Sequence, residues 1–531
     1  MCVPHHKRGM TIIGRLLLAV GCSVVLATTS RLGAQGRKAV PDARCPEPLP
    51  QPFSLVGAPT VTVRLAADGE FPDPDVTAAR AIGVLMRDVL LQRTPVTLLS
   101  EIDVQRHIMP SLASANNLSG IRAGGRLLSG WVRRIGDSVT VTWSVRSAAS
   151  ESSTARETRR VSARIDDIAR VALVLADAAT QASVATSHSL ATSPVSLGSV
   201  DAGEAYVVGL AEMYSIRPDE LRRARTALTK ASSIATSAAD VWRWRARAEN
   251  ALIEWNRAAD SSTLRGLQVT HVGSATRATQ LAPRSAGAHV ALADAYLAAG
   301  ERDKAELEVA VATTLDADGP GVSRVSSVLS RIKGNDARAL AELRAAVLMA
   351  PREVDLLFAL ANLARLQGEN GLACNALNAA ISADDELAPA YALRAIVRAE
   401  LGDRRSAWAD AEVATRLGHP EWGERAAAVL DARYGDRVHA DVRLDAVGGL
   451  YARPTNYLDA ILLALAAVAT NRRDAIPSLA AAWPCKELRR GALVRDLRSI
   501  GVTVTDSCVA AASFGGTVPP AARAAPAKRR P

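Results

Sequence analysis

The sequence predicts a mainly α-helical protein, in which a solenoid of antiparallel helix pairs follows a small α+β domain. The chain of 531 residues is longer than one hydrophobic core usually serves, so several domains are expected. Aromatic residues make up only 4% of it, whereas alanine, leucine and arginine abound, a composition that suits stacked helices better than a β-sandwich. Glycine recurs at intervals of 34 residues, at positions 300, 334, 368 and 402, which indicates a repeated structural unit.

The charge of the chain is concentrated at its two ends. The net charge is +10, and eight basic residues lie without any acid in segments 1–34 and 509–531. These residues are Lys7, Arg8, Arg15, Arg31, Arg523, Lys528, Arg529 and Arg530. Subtracting eight from +10 leaves about +2 for the body of the chain, which lacks the clustered basic patch that phosphate binding needs. We therefore expect no nucleic-acid partner.

Residues 1–34 have the layout of a signal peptide. A basic stretch at 5–8 precedes an apolar run at 16–28, which is too short to span a bilayer comfortably. Ala34 supplies a small residue at the cleavage position, and the mature chain would begin at Gln35. We expect export to the periplasm or cell envelope, with membrane attachment only if the signal stays uncleaved as an anchor. Lipidation at Cys22 is the other alternative.

Four cysteines would remain after cleavage. Cys485 and Cys508 are close in sequence and flank the last helical segment, so they form the expected disulfide, while Cys45 and Cys374 are left over. The alternative is four free thiols, because no dense cysteine framework is present.

An α+β domain is predicted over 59–185, after a linker at 35–58. The expected strands are 61–65, 96–99, 126–134, 138–146 and 158–164, and the expected helices are 76–92, 101–109 and 166–181. Ile135-Gly136-Asp137 provides a tight turn between two of the strands.

This order of elements resembles the N-terminal domain of the periplasmic protein TolB. The most specific part of the resemblance is the hairpin phrase LSGWVRRIGDSVTVT at 128–142. One departure is the end of the first strand, which reads Arg64-Leu-Ala-Ala where the family has Leu-Pro-Phe. The resemblance implies an interaction module without catalytic residues.

The 34-residue period extends to further columns. Alanine recurs at 305, 339, 373 and 407 and again at 312, 346, 380 and 414, with apolar residues at 309, 343, 377 and 411. These columns resemble the tetratricopeptide repeat (TPR), and the resemblance implies antiparallel helix pairs over 202–420. One period earlier, Gly266, Ala278 and Pro283 continue the pattern. Degenerate repeats and a cap are expected at 421–510, and a disordered basic tail at 511–531.

No catalytic or metal-binding motif is found in the sequence. Eight histidines are scattered without metal-ligand spacing, and no cysteine pair has the spacing of a zinc site. No serine lies in the Gly-x-Ser-x-Gly pattern of hydrolases. We therefore expect no enzyme activity, no metal and no cofactor.

In TPR proteins ligands usually meet the first helix of each pair. Carried over by register, the candidate groove residues are Asp294, Phe358, Asn362, Arg365, Arg394 and Arg398. The three arginines would give the groove a basic lining that favours an acidic partner, and their change to alanine would cost little stability if they are exposed. The alternative is that all six are simply solvated.

Two functions follow from this organisation. In the first, an exported TPR scaffold binds a protein or peptide partner through the groove of its helical array. In the second, the chain is an accessory subunit of an envelope signalling or transport complex and contacts partners mainly through its TolB-like domain.

Overall fold

The structure is a computed structural model that describes most of the chain between residues 60 and 502. The described residues are Cys45, 60–69, 72–93, 97–99, 126–147, 158–180, 196–213, 217–255, 261–350, 353–417, 420–450, 454–472, Trp483 and 487–502. The predictions on the signal peptide and Ala34, on Cys22, on the helix at 101–109, on the Cys485–Cys508 pair and on the tail at 511–531 concern residues outside this set, and they stay predictions.

The N-terminal module has a five-stranded sheet and two described helices. Its elements are β1 Thr60–Ala66, α1 Pro74–Arg93, β2 Thr97–Leu99, β3 Arg126–Ile135, β4 Ser138–Ser147, β5 Arg159–Arg164 and α2 Ile168–Thr180. The strand order is β2-β1-β3-β4-β5. β1 runs parallel to β2 and β3, while β3, β4 and β5 are antiparallel. The predicted α+β module is confirmed, whereas its likeness to TolB stays a prediction.

Side-chain periodicity explains how this module packs. Ile82, Met86 and Leu90 recur at helical spacing on one face of α1 and are fully buried. Val139 and Val141 alternate on β4, as a strand with one buried face requires, and they join the same core. The hairpin between β3 and β4 turns at Gly136, whose φ of +59° suits glycine.

The rest of the described chain is an array of helices. They are α3 Val200–Glu212, α4 Pro218–Ile234, α5 Ala239–Trp255, α6 Ser261–Leu281, α7 Ala286–Ala299, α8 Arg302–Leu315, α9 Pro320–Ile332, α10 Asp336–Met349, α11 Val354–Leu366, α12 Asn370–Ala383, α13 Ala388–Glu400, α14 Arg404–Arg416, α15 Pro420–Arg433, α16 Arg437–Ala446, α17 Tyr457–Ala469 and α18 Arg489–Ile500. From α3 to α16 consecutive helices pack as pairs. The predicted mainly α array of TPR-like helix pairs is confirmed.

The periodic glycines turn the chain between the two helices of a pair. Gly300, Gly334, Gly368 and Gly402 have φ values of +85°, +79°, +77° and +87°, the left-handed conformation that ends a helix without strain in glycine. Gly435 repeats this conformation between α15 and α16, with φ of +102°. The helix pairs therefore continue past residue 420, into the segment predicted to be degenerate.

The backward extension of the period fails at one position. Gly266 lies inside α6, which begins at Ser261, so it does not form a turn. Ala278 of the same helix is fully buried, as the alanine column requires. The pair α5/α6 therefore keeps the packing positions of the repeat but has longer helices than the pairs that follow.

The N-terminal module and the start of the array share one hydrophobic core. Tyr206, Val207 and Leu210 of α3 belong to the same buried cluster as Met86 of α1 and Leu175 of α2. Separating the chain near residue 190 would expose this cluster to water. Among the described residues, no helix is both long enough and apolar enough to cross a membrane.

Candidate protein-binding face

We call the first helices of successive pairs together the first-helix face; α5 packs against α7, α7 against α9, and α11 against α13. It consists of α5, α7, α9, α11 and α13. All six candidate groove residues lie on these helices. Asp294 is on α7, Phe358, Asn362 and Arg365 are on α11, and Arg394 and Arg398 are on α13.

The three arginines are not exposed, which corrects the expectation of a basic lining. The side chain of Arg365 is 5% exposed, and its Nη1 lies 3.0 Å from Oε1 of Glu400. Arg394 donates to both carboxylate oxygens of Asp410, at 2.8 and 2.7 Å. Arg398 pairs with the same carboxylate at 2.7 Å. These ion pairs join the helices of the array to one another. Changing all three arginines to alanine is therefore expected to cost substantial stability.

Asp410 and its two arginines form a buried charge cluster. The carboxylate is 4% exposed, and the amide oxygen of Asn378 accepts a further hydrogen bond from Arg394 at 2.8 Å. Burial, followed by the positive charge of Arg394, lowers the pKa of Arg398. The 16-residue spacing from Arg394 to Asp410 connects the two helices of one pair, which is the signal that sequence reasoning missed.

Phe358 and Asn362 lie one turn apart on α11; the first is half-buried and the second is buried. The ring of Phe358 packs at 6.0 Å against that of Trp255 of α5, with the planes tilted by 58°. Asn362 is buried, and its amide oxygen has no hydrogen-bond partner among the residues that the structure describes. Of the six candidates, Phe358 thus offers an aromatic surface and Asn362 an acceptor.

Asp294 forms an ion pair with α18, a helix from the C-terminal part of the chain. Arg489, the first residue of α18, lies 3.3 Å from Asp294 and also pairs with Glu254 of α5. Arg324 of α9 pairs with the other oxygen of Asp294. α18 therefore reaches the first helices of consecutive pairs.

The remainder of α18 is held by further contacts. Asp496 pairs with Arg331 of α9 and accepts a hydrogen bond from the hydroxyl of Tyr457 of α17. Leu493 and Leu497 are fully buried. Burial disfavours charge, but Tyr457 and Asp496 outweigh it and raise the pKa of Arg331. The first-helix face thus already accepts a helix between α5 and α9.

The N-terminal module contacts the same face from α1. Asp88 accepts two hydrogen bonds from Arg243 of α5, at 3.1 and 2.6 Å. Glu353, which precedes α11, pairs with Arg87 and lies 3.1 Å from Arg247. Burial alone would raise the pKa of Glu353, but the two arginines lower it below its ordinary value. The module and the array are therefore joined by ion pairs, of which Arg243–Asp88 is the most buried, as well as by apolar packing.

His271 of α6 is buried without a hydrogen-bond partner among the described residues, on either ring nitrogen. Burial, and then the charge of Arg324, lowers its pKa to about 3. The unfolded chain takes up a proton near the ordinary value of about 6.5. The stability that comes from keeping this ring neutral is complete above pH 6.5 and is lost as the pH falls from there towards 3.

We expect a His271→Leu variant to be less sensitive to acid than the wild type, because it has no ring to protonate on unfolding. Between pH 6.5 and 4 the free energy of unfolding should fall about 1.4 kcal/mol per pH unit more steeply in the wild type. Urea unfolding of both proteins at several pH values measures this difference. If the free energies of unfolding of the two proteins fell in parallel with pH, the lowered pKa of His271 would be contradicted, whatever the constant difference between the two proteins.

Within the described residues, no group of three or more histidine, cysteine, aspartate or glutamate side chains is placed to hold a metal ion. The expectations of no metal, no cofactor and no catalysis therefore stay expectations for the whole chain.

Comparison with known proteins gives distant structural likenesses. No protein family model matches the chain, and no curated protein matches it. A thermophilic TPR protein of Thermus thermophilus is 20% identical, over 36% of this chain and 89% of its own, with a TM-score of 0.26. Yeast Tom70 is 15% identical, over 60% and 68%, with a TM-score of 0.35. Human IFIT1, solved as a dimer with PPP-AAAA, is 14% identical, over 60% and 73%, with a TM-score of 0.38. At these scores the likenesses say nothing about function, and the repeat is established by the period and helix pairing of this chain.

Proposed function

We propose that this protein is an exported, non-catalytic scaffold that binds a protein partner through the first-helix face of its TPR-like array. The observation that carries the proposal is the seating of α18 on this face, where Arg489 pairs with Glu254 and Asp294. A surface that accepts one helix of its own chain has the charges and apolar positions that a partner helix needs. Further along, Phe358 on α11 and Tyr391 on α13 are only partly buried.

A disulfide supports export. Cys45 and Cys374 are bonded across 329 residues of sequence, with their Cα atoms 5.8 Å apart, within the range of about 4.4–6.8 Å that disulfides require. Disulfides persist in oxidising compartments and are rare in the cytosol. With these two cysteines joined, Cys485 and Cys508 are left as the expected second pair of the mature chain.

A second candidate function uses the N-terminal module as the main contact. Ile135, at the end of β3, is 71% exposed, and Trp131 on the same strand is 45% exposed. Large apolar side chains this open to water are suited to a protein contact. This observation favours the accessory-subunit function, in which the β3–β4 hairpin binds the partner.

Site-specific photo-crosslinking in the intact protein separates the two functions. A benzophenone amino acid replaces Phe358 or Tyr391 on the first-helix face, Ile135 on the hairpin, or Leu307 on the second helix α8. We expect one and the same envelope protein to be captured from Phe358 and Tyr391. Leu307 is the matched control, because it is 67% exposed and apolar but lies on the opposite helix of its pair.

Capture from Ile135 alone would replace the proposal by the accessory-subunit function. Capture from Leu307 as strong as that from Phe358 would show that any exposed apolar position reacts, and the first-helix face would lose its assignment. The intact chain is needed for this comparison, because the module and the array share a core and separated halves would each expose part of it.

A further inference from the structure

The contacts of α18 describe a recognition pattern. Along this helix Arg489, Leu493, Asp496 and Leu497 stand at positions i, i+4, i+7 and i+8, which places them on one face. The arginine lies at the acidic end of the surface that receives it, and the aspartate at the basic end. Leu493 lies between them, Leu497 directly follows Asp496, and both leucines are buried.

The receiving surface is complementary in charge along its length. Glu254 of α5 and Asp294 of α7 receive Arg489, and Arg331 of α9 receives Asp496. Leu488 packs against a small hydrophobic cluster of α7, α8 and α9 that includes Leu297 and Leu329. The charges on α5, α7 and α9 are thus complementary to those of α18, while Leu493 and Leu497 join the hydrophobic cluster that residues of α10 to α17 form.

We infer that α18 is a built-in occupant of the first-helix face and that the partner binds there by taking its place. The partner segment is an amphipathic helix that repeats the α18 pattern, with arginine first, two large apolar residues at i+4 and i+8, and an acidic residue at i+7. This inference rests on the proposed function, because it names the chemistry of the partner and the regulation of that same face.

As a consequence, α18 and the helix of a partner compete for the same surface. While α18 is seated, Glu254 and Asp294 are already paired, so a second helix of the same pattern gains no arginine contact. Loosening α18 opens the surface without altering the residues that receive it. The basal state of the protein is therefore the closed one.

The first test uses the full chain and a fluorescent synthetic peptide of residues 487–502 as the probe. An Arg489→Ala chain should bind this peptide at least tenfold more tightly than the wild-type chain, measured by fluorescence anisotropy. Arg498→Ala is the matched control, because Arg498 is an exposed arginine of the same helix, and this variant should behave as the wild type does. A peptide that itself carries Arg489→Ala should bind the Arg489→Ala chain at least tenfold more weakly than the unaltered peptide.

Equal affinity of the peptide for the Arg489→Ala and wild-type chains would overturn the inference, and so would equal binding of the two peptides. Far-UV circular dichroism checks that the variant keeps its helices. If the variant does not fold, hydrogen exchange of the wild-type chain decides instead. The amides of 489–500 should then exchange through an opening that leaves α7 and α9 protected, whereas exchange of all three helices together would make α18 a fixed cap and end the proposal.

Failure of this inference is distinguishable from failure of the proposed function. A fixed α18 together with capture from Phe358 and Tyr391 would leave the scaffold function standing and reject only the displacement. Capture from Ile135 alone, together with a mobile α18, would reject the scaffold function and with it the partner, and would leave only the opening of α18.

Discussion

An Asp410→Ala variant is expected to be about 3–5 kcal/mol less stable than the wild-type protein, the range found when one partner of a buried ion pair is removed. Arg394 and Arg398 both depend on this carboxylate, and the three side chains are mostly shielded from water. Without Asp410 two like charges would remain buried near each other. Urea unfolding monitored by far-UV circular dichroism measures the loss.

Glu412→Ala is the matched control for this change. Glu412 is an exposed carboxylate two residues further along α14, so its loss should stay within about 0.5 kcal/mol. A triple variant that also replaces Arg394 and Arg398 by methionine should recover much of the stability, because no unpaired charge is then buried. An Asp410→Ala variant as stable as the Glu412→Ala variant would show that the cluster is open to water.

A Cys45→Ser variant is expected to lose about 2–4 kcal/mol of stability, the usual contribution of a disulfide. The bond to Cys374 closes a loop of 329 residues, which restricts the unfolded chain over most of its length. The urea midpoint of the oxidised wild type should exceed that of the variant at pH 7, and adding a reductant should bring the wild type close to the variant.

The variant itself supplies the control for the reductant. A reductant should lower the midpoint of Cys45→Ser much less than that of the wild type, and what remains would report on other disulfides, such as the predicted Cys485–Cys508. An unchanged wild-type midpoint on reduction would contradict the contribution assigned to this bond. Peptide mapping without reduction should recover Cys45 and Cys374 in one linked fragment.

Local pattern predicted most of the fold. The glycines at 300, 334, 368 and 402 have a positive φ at a helix end, a requirement that sequence reveals because few other residues meet it. The strands of the N-terminal module were predictable because their apolar residues alternate, as Val139 and Val141 do. Both signals act within a few residues of chain.

The candidate site depends on longer-range pairing, which the sequence does not encode locally. Helical register places Arg394 on a first helix. Whether its side chain is exposed depends on Asp410 of the next helix, with which it forms an ion pair. Likewise, the pattern of α18 predicts a helix and leaves open where it docks. The contact of Arg489 with Glu254 crosses 235 residues, and that of Cys45 with Cys374 crosses 329.

The central claim, binding through the first-helix face, is tested most directly by hydrogen exchange of the intact protein with and without the partner captured by crosslinking. We predict that the partner slows exchange in α11 and α13, over 354–366 and 388–400, and speeds exchange over 489–500 as it takes the place of α18, while 126–147 of the hairpin exchanges as in the free protein. Protection confined to 126–147, with α11 and α13 unchanged, would contradict the claim and assign binding to the N-terminal module.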